Sequence, residues 1–334
     1  MAELAPEVRE LIAKTDAMMA SVMAAGPAGG GTLADMRAAA AEAVQEIFVF
    51  AGGVERPAYR EVDHTIPVAG GQLAARAYCP AGDGPFPAYL HFHGGAWIMG
   101  SIDWPTFRSY ARELSERTPS VVLDVDYRLA PEARFPVPVE DCHASLEWLV
   151  AHAEELRIDP DRIVVGGDSA GGNLAAAVCL IARDRGGPSL AGQLLEIPGP
   201  DHEDGSRYDS WHEFGRGYGL ETEGLLAGKA FYFADEADAA DPLASPILAP
   251  DLSGLPPAVV FTAEFDPLRD MGEAYGRRLA DAGVPTTVSR QPGHIHGSCF
   301  LLHPRWEPAR VWRDEVIGSL RGLLAPVVDP IGSA

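Results

Sequence analysis

Ser169 sits in Gly167-Asp168-Ser169-Ala170-Gly171, a G-x-S-x-G pattern. A β-branched run, Ile163-Val164-Val165, precedes it, and an apolar stretch of helical character follows to about Arg183. That order predicts a strand, a sharp turn and a helix, with the hydroxyl projecting above a sheet edge. Glycines on both sides tolerate the crowded backbone. The helix that begins there turns free N–H groups and its positive dipole end toward any oxygen bound nearby. Such a hydroxyl is suited to attack a carbonyl carbon. The competing interpretation, a glycine-rich turn holding an incidental serine, loses weight with each partner found elsewhere in the chain.

A carbonyl under attack develops negative charge on its oxygen, and fixed backbone donors must meet it. His93-Gly94-Gly95-Ala96-Trp97 follows the apolar run Ala88–Phe92 and supplies a loop whose amides can converge. The donors expected are the N–H groups of Gly94 and Gly95, joined by that of Ala170. A serine also needs a base, and the base an orienting acid. Asp266, in Glu264-Phe265-Asp266-Pro267-Leu268-Arg269-Asp270, follows the strand predicted over Ala258–Thr262. His296, in Gly293-His294-Ile295-His296-Gly297, follows the strand predicted over Thr286–Arg290. Both lie past strand carboxyl ends, as Ser169 does. Glu264 and Asp270 compete for the acid role, although Asp270 stands where a helix begins and a carboxylate is favourable for that reason alone. His294 competes for the base, but an i, i+2 pair in extended chain faces opposite ways, so one imidazole at most can reach Ser169.

Two H-x-H pairs, His91/His93 and His294/His296, raise the question of a metal. Neither has a further short-range His or carboxylate of hydrolytic-site spacing, so no metal is expected. Asp126-Tyr127-Arg128-Leu129-Ala130-Pro131-Glu132 offers no nucleophile or base. Arg128 is expected to fix a loop near the site by paired hydrogen bonds to a carboxylate. Trp97, Asp168, Trp211, Phe214 and Tyr218 are the candidate substrate-pocket residues.

The elements that position these groups follow from periodicity. Val62–Val68 and Leu73–Tyr78 read as strands joined by a hairpin at Ala69-Gly70-Gly71. Short buried strands then alternate with helices near 106–116, 139–156, 170–183, 270–282 and 306–324, which predicts a mostly parallel sheet covered on both faces. Residues 1–50 stand outside that alternation as two helices, the second with Thr32 as N-cap and Asp35 three residues on. Residues 198–240, rich in Gly, Asp, His and aromatics, break the rhythm again and read as part of a lid. The expected organisation is N-terminal cap helices over 1–50 and a catalytic domain over 51–330, with a cap insertion at about 198–240.

The chain has 334 residues, 47% apolar and 22% charged, enough to bury a large core. Its 26 basic and 48 acidic residues leave a net charge of −22, which argues against nucleic acid or an anionic membrane as partner. Four scattered cysteines fit reduced, buried thiols. The N-terminus lacks the basic start and apolar run of a secretory signal, and no stretch approaches about 20 apolar residues. A soluble cytoplasmic protein is the expectation, with a homodimer as the base-rate oligomer.

Taken in order across 93–297, these blocks resemble the bacterial hormone-sensitive-lipase-like carboxylesterases (family IV). Leu194-Leu195-Glu196-Ile197-Pro198, with Gly167-Asp168-Ser169, looks most like the branch containing heroin esterase. The resemblance implies an α/β-hydrolase fold: an eight-stranded, mostly parallel sheet with helices on both faces and a helical cap. It also implies hydrolysis of short-chain acyl or aryl esters, acetyl to about hexanoyl, through an acyl-enzyme on Ser169, with His296 as base, Asp266 as acid and no cofactor. The chain departs from the family where Ala96 replaces a third glycine and Ser298 an apolar aromatic. A lactonase or an amidase or aryl formamidase would use the same three residues. A non-catalytic small-molecule-binding protein on a hydrolase scaffold is a further alternative.

Overall fold

The computed structural model describes residues 4–54 and 60–326; the parts of the expected catalytic domain at 55–59 and 327–330 lie outside the described residues. Eight strands form one sheet: β1 (Arg60–Val68), β2 (Gly71–Cys79), β3 (Phe86–Phe92), β4 (Val121–Asp126), β5 (Ile158–Asp168), β6 (Gly192–Glu196), β7 (Ala258–Phe265) and β8 (Thr286–Ile295). Their spatial order is β1-β2-β4-β3-β5-β6-β7-β8. The β1–β2 hairpin is antiparallel, as is the β2–β4 pairing, and every pairing from β4 to β8 is parallel. This is the eight-stranded, mostly parallel sheet that the family resemblance implied.

The helices are α1 (Pro6–Ala25), α2 (Leu33–Phe50), α3 (Pro105–Arg117), α4 (Val137–Ala151), α5 (Ala153–Leu156), α6 (Ala170–Asp184), α7 (Asp209–Glu213), α8 (Thr222–Tyr232), α9 (Arg269–Asp281), α10 (Ser298–Leu301) and α11 (Glu307–Leu323). Strand alternation splits the core in two. On β3, Ala88, Leu90 and Phe92 face the layer that holds Leu146, Leu174 and Leu279 of α4, α6 and α9. Tyr89, with Val122 and Leu194 of neighbouring strands, faces Tyr110 and Trp312 of α3 and α11. Each fully buried large side chain contributes roughly 1.5–3 kcal/mol.

The differences from expectation have physical causes. Strand β6 escapes a hydrophobicity reading because Gln193 and Glu196 interrupt it, yet both are buried. Gln193 donates its side-chain amide to the Pro256 carbonyl at 3.1 Å and its backbone N–H to that of Pro257 at 2.8 Å. The helix expected over 139–156 is two pieces: α4 stops at His152, whose ring nitrogen bonds the Trp148 carbonyl at 2.8 Å.

The first two helices form a hairpin, with the Thr32/Asp35 capping box in place at the start of α2. Two of its contacts bear on the site loops and strand ends. Val8 and Leu11 of α1 pack with Tyr218, Phe265 and Ile295. From α2, Arg37 donates to the Ile98 and Ala130 carbonyls and makes a two-pronged pair with Glu132 at 2.7 and 2.8 Å. Arg128 does the same for the neighbouring loop through Asp141, at 2.6 and 2.8 Å, as its motif suggested.

Candidate active site

Strand β5 ends at Asp168 and α6 begins at Ala170, so Ser169 turns the chain alone. Its φ of +54° is uncommon for a residue with a side chain. The turn is held by Ser169 N–H donating to the Glu196 carbonyl at 2.8 Å and by Asn173 N–H donating to the Ser169 carbonyl at 3.1 Å. Glycines are obligatory beside it. A Cβ on Gly167 would come within 2.3 Å of the Phe92 carbonyl oxygen, and one on Gly171 within 1.9 Å of the same atom.

His296 follows β8 immediately, on a bend where Gly297 takes φ +74°. Its Nε2 lies 3.0 Å from Ser169 Oγ and its Nδ1 2.7 Å from Asp266 Oδ2. With the ring proton on Nδ1 facing the carboxylate, Nε2 presents its lone pair to the hydroxyl. Asp266 is fully buried and its other oxygen accepts the Leu268 N–H at 2.9 Å. Three segments up to 127 residues apart thus meet in one line of hydrogen bonds, a geometry fit for passing a proton between Ser169 and His296.

The competing residues have other partners. His294 is wedged between Trp306 and Trp312, with Nδ1 2.8 Å from Ser298 Oγ. Burial pushes it down to about 4, so it stays neutral. Ser298, in the place of an apolar aromatic, therefore has a use: its hydroxyl also donates to the Ile295 carbonyl at 2.8 Å. Glu264 accepts the Gly293 N–H at 2.7 Å and ties β7 to β8. Asp270 accepts the Ser210 N–H at 2.8 Å while Ser210 Oγ accepts the Asp270 N–H at 3.1 Å, a clip between the inserted segment and the turn that carries Asp266.

One expected oxyanion donor requires correction. The Gly94 N–H donates to Asp168 Oδ1 at 3.1 Å and is occupied. The next two amides, of Gly95 and Ala96, meet no acceptor among the described residues, and neither does that of Ala170. The loop reaches this shape through three consecutive positive φ values: 130° at Gly95, 52° at Ala96 and 61° at Trp97. Ala96 adopts it despite its methyl group, which lies against Gly228 of α8.

Two pocket expectations also change. Trp97 is 4% exposed, stacked on Tyr232 at 4.7 Å and edge-on to His202 at 4.7 Å, so it is packed into the core beneath α8. Asp168 is 6% exposed, with Oδ1 taken up by the Gly94 N–H. Trp211 packs against Gly205 within the insertion. Phe214 and Tyr218 contact Phe265, the residue before Asp266, with ring centres 5.6 and 5.8 Å away. A separate cavity of about 420 Å³ lies between α2 and the 100–105 loop; Arg37, Gln45 and Trp104 line it, and Ser169, Asp266 and His296 do not. Among the described residues no group of three or more His, Cys, Asp or Glu could hold a metal ion.

A family profile described as the alpha/beta hydrolase fold matches residues 89–300. An arylesterase of Saccharolobus solfataricus is 44% identical over 235 residues, 70% of this chain and 74% of that protein. The carboxylic ester hydrolase LipN of Mycobacterium tuberculosis is 40% identical over 271 residues, 79% of this chain and 71% of LipN. Among solved structures, a hyperthermophilic esterase from the archaeon Pyrobaculum calidifontis superposes with a TM-score of 0.85 at 34% identity, covering 97% of this chain and 99% of that one. The thermostable carboxylesterase EstE1, cloned from a metagenomic library, gives 0.83 at 39% identity over 89% and 99%. The chain belongs to the α/β-hydrolase family, in its hormone-sensitive-lipase-like group.

Proposed function

We propose that this α/β hydrolase is a serine carboxylesterase acting on short-chain acyl or aryl esters, with Ser169 as nucleophile, His296 as base and Asp266 as the orienting acid. The observation that carries this reading is the continuous hydrogen-bond line from Ser169 Oγ through His296 to Asp266, at 3.0 and 2.7 Å. Relatives named as esterases, at 40–44% identity, support the bond type. In the cycle, His296 Nε2 takes the Ser169 proton as Oγ bonds to the ester carbon. The oxyanion is received by the N–H groups of Gly95, Ala96 and Ala170, each worth roughly 3 kcal/mol. His296 then protonates the departing alcohol. Water, deprotonated by the same imidazole, cleaves the acyl-enzyme and frees the carboxylate. The cycle needs no cofactor.

The described part of 1–50 (residues 4–50) and 198–240 form the cap in this reading. They meet each other and the strand ends through Val8, Leu11, Tyr218, Phe265 and Ile295. Phe214 and Tyr218 supply an aromatic wall beside Asp266, and Trp211 stiffens the segment that carries them. No helix among the described residues is long and apolar enough to cross a membrane. The four free, buried cysteines fit the reducing cytoplasm. Among the described residues the edge strand β8 pairs only with β7 and keeps Val288 39% exposed, which offers a ladder to a second copy in a homodimer.

A p-nitrophenyl series from acetate to decanoate, run beside a lactone and a formyl anilide, tests the bond and the chain length. The expected result is a kcat/KM maximum between acetyl and hexanoyl. A formyl anilide or lactone that outperforms every ester would replace this assignment with an amidase or lactonase.

A further inference from the structure

Asp124, His91, Asp168 and Glu196 stand at or near the carboxyl ends of β4, β3, β5 and β6, four neighbours in the sheet. His91 lies beside Asp124 in register, and Asp168 beside Glu196. Each is at most 6% exposed. Their face of the sheet otherwise carries Tyr78, Tyr89, Val122, Val164 and Leu194. His91 Nδ1 bonds the Asp124 carboxylate, and Nε2 is 3.7 Å from Asp168 Oδ1. At the far end Glu196 accepts the Tyr110 hydroxyl from α3. Arg313 of α11 lies 4.2 Å over the Tyr110 ring and pairs with Glu113 at 2.8 Å.

Removing an ion from water costs several kcal/mol, so three carboxylates and an imidazole in an apolar layer are a poor device for stability alone. Their position suggests another use. The row runs directly beneath the two loops that handle the reacting carbonyl. Asp168 Oδ1 accepts the Gly94 N–H at 3.1 Å, and the Glu196 carbonyl accepts the Ser169 N–H at 2.8 Å. A hydrogen bond to an ionised acceptor is roughly twice as strong as a neutral one. Burial opposes charge on His91, but Asp124 outweighs it and keeps the imidazole protonated to higher pH. Burial likewise raises the Asp168 carboxyl, and the His91 charge opposes that rise.

We infer that this buried row is a positioning unit for the oxyanion loop: Asp168, paired with His91, which Asp124 holds in turn, fixes the Gly94 amide so that the Gly95 and Ala96 amides face the reacting oxygen, while the Glu196 main chain holds the Ser169 turn. Asp168 is thus a positioning residue that acts through the loop. The inference rests on the serine-esterase reading above.

The test compares Asp168→Ala, Asp168→Asn and His91→Gln in the full chain with p-nitrophenyl butyrate. Asp168→Ala leaves the Gly94 N–H without its acceptor. It should lower kcat about 10²-fold, the scale of a lost oxyanion donor, with KM within threefold of wild type. Asp168→Asn keeps an acceptor oxygen and should recover at least tenfold of that loss. His91→Gln should lower kcat about tenfold, again without a KM change. Asp168→Ala with kcat within threefold of wild type overturns the inference. So does an Asn variant as impaired as the Ala variant, or a loss confined to KM. If Asp168→Ala does not fold, full kcat in His91→Gln is sufficient to reject it. A wild-type protein that turns over no ester at all would reject the esterase reading instead.

Discussion

Glu196→Gln isolates one member of the buried row and makes a prediction with a definite sign. Burial pushes the Glu196 carboxyl up from 4.5 to about 7. The Tyr110 hydrogen bond and the Arg313 charge oppose that rise, Asp168 adds to it, and His91 opposes it. Tyr89 on β3 and Cys299 on α10 also feel its charge. The folded state therefore holds the proton more tightly than the unfolded chain. Below about pH 4.5 both states are protonated and the contribution to stability is fully present. Between about 4.5 and 7 the unfolded chain ionises first, and folding stability falls by about 1.4 kcal/mol per pH unit. The loss totals about 3 kcal/mol and levels off above pH 7. Glutamine keeps an acceptor for Tyr110 and cannot titrate. Urea unfolding of both proteins between pH 4.5 and 8 should show the variant gaining about 3 kcal/mol relative to wild type, equivalent to about 4 °C in Tm for a chain of this size. A difference that stays constant across that range would refute the reasoning.

Asp266→Asn should lower kcat roughly 10⁴-fold, because the imidazole loses the partner that sets its tautomer. Asp270→Ala should cost about 1–3 kcal/mol of stability through the unpaired Ser210 N–H, with kcat within about tenfold; steady-state kinetics and melting curves on both variants separate the two carboxylates. Trp97→Ala should cost about 3–5 kcal/mol, as expected for a buried aromatic, and leave the rank order of acyl chains intact; a changed order with little loss of stability would return Trp97 to the pocket wall.

Much of this arrangement was legible in the sequence because it is local. The turn at Ser169 needs glycines at 167 and 171, and the chain prints them beside the serine. The Thr32/Asp35 cap, the 69–71 hairpin and the strand–helix alternation are short-range patterns of the same kind. What escaped depends on neighbours distant in sequence. Nothing near Gly94 announces that its N–H is taken by Asp168, 74 residues away. Glu196 disguised β6 because a buried carboxylate looks like a loop residue until Tyr110 is placed beside it. His91 and Asp124 look like incidental polar residues until strand register sets them side by side. Adjacency to the motifs alone suggests Trp97 and Asp168 as pocket residues, whereas packing buries both against Tyr232 and the Gly94 loop.

Covalent trapping shows whether Ser169 is the nucleophile. Wild-type protein treated with a fluorophosphonate, digested and analysed by mass spectrometry should carry one adduct, on Ser169, with hydrolysis of p-nitrophenyl acetate lost in step; Ser169→Ala should take no label and show no turnover. An adduct on another residue, or a Ser169→Ala protein that hydrolyses the ester at the parent rate, would contradict the account.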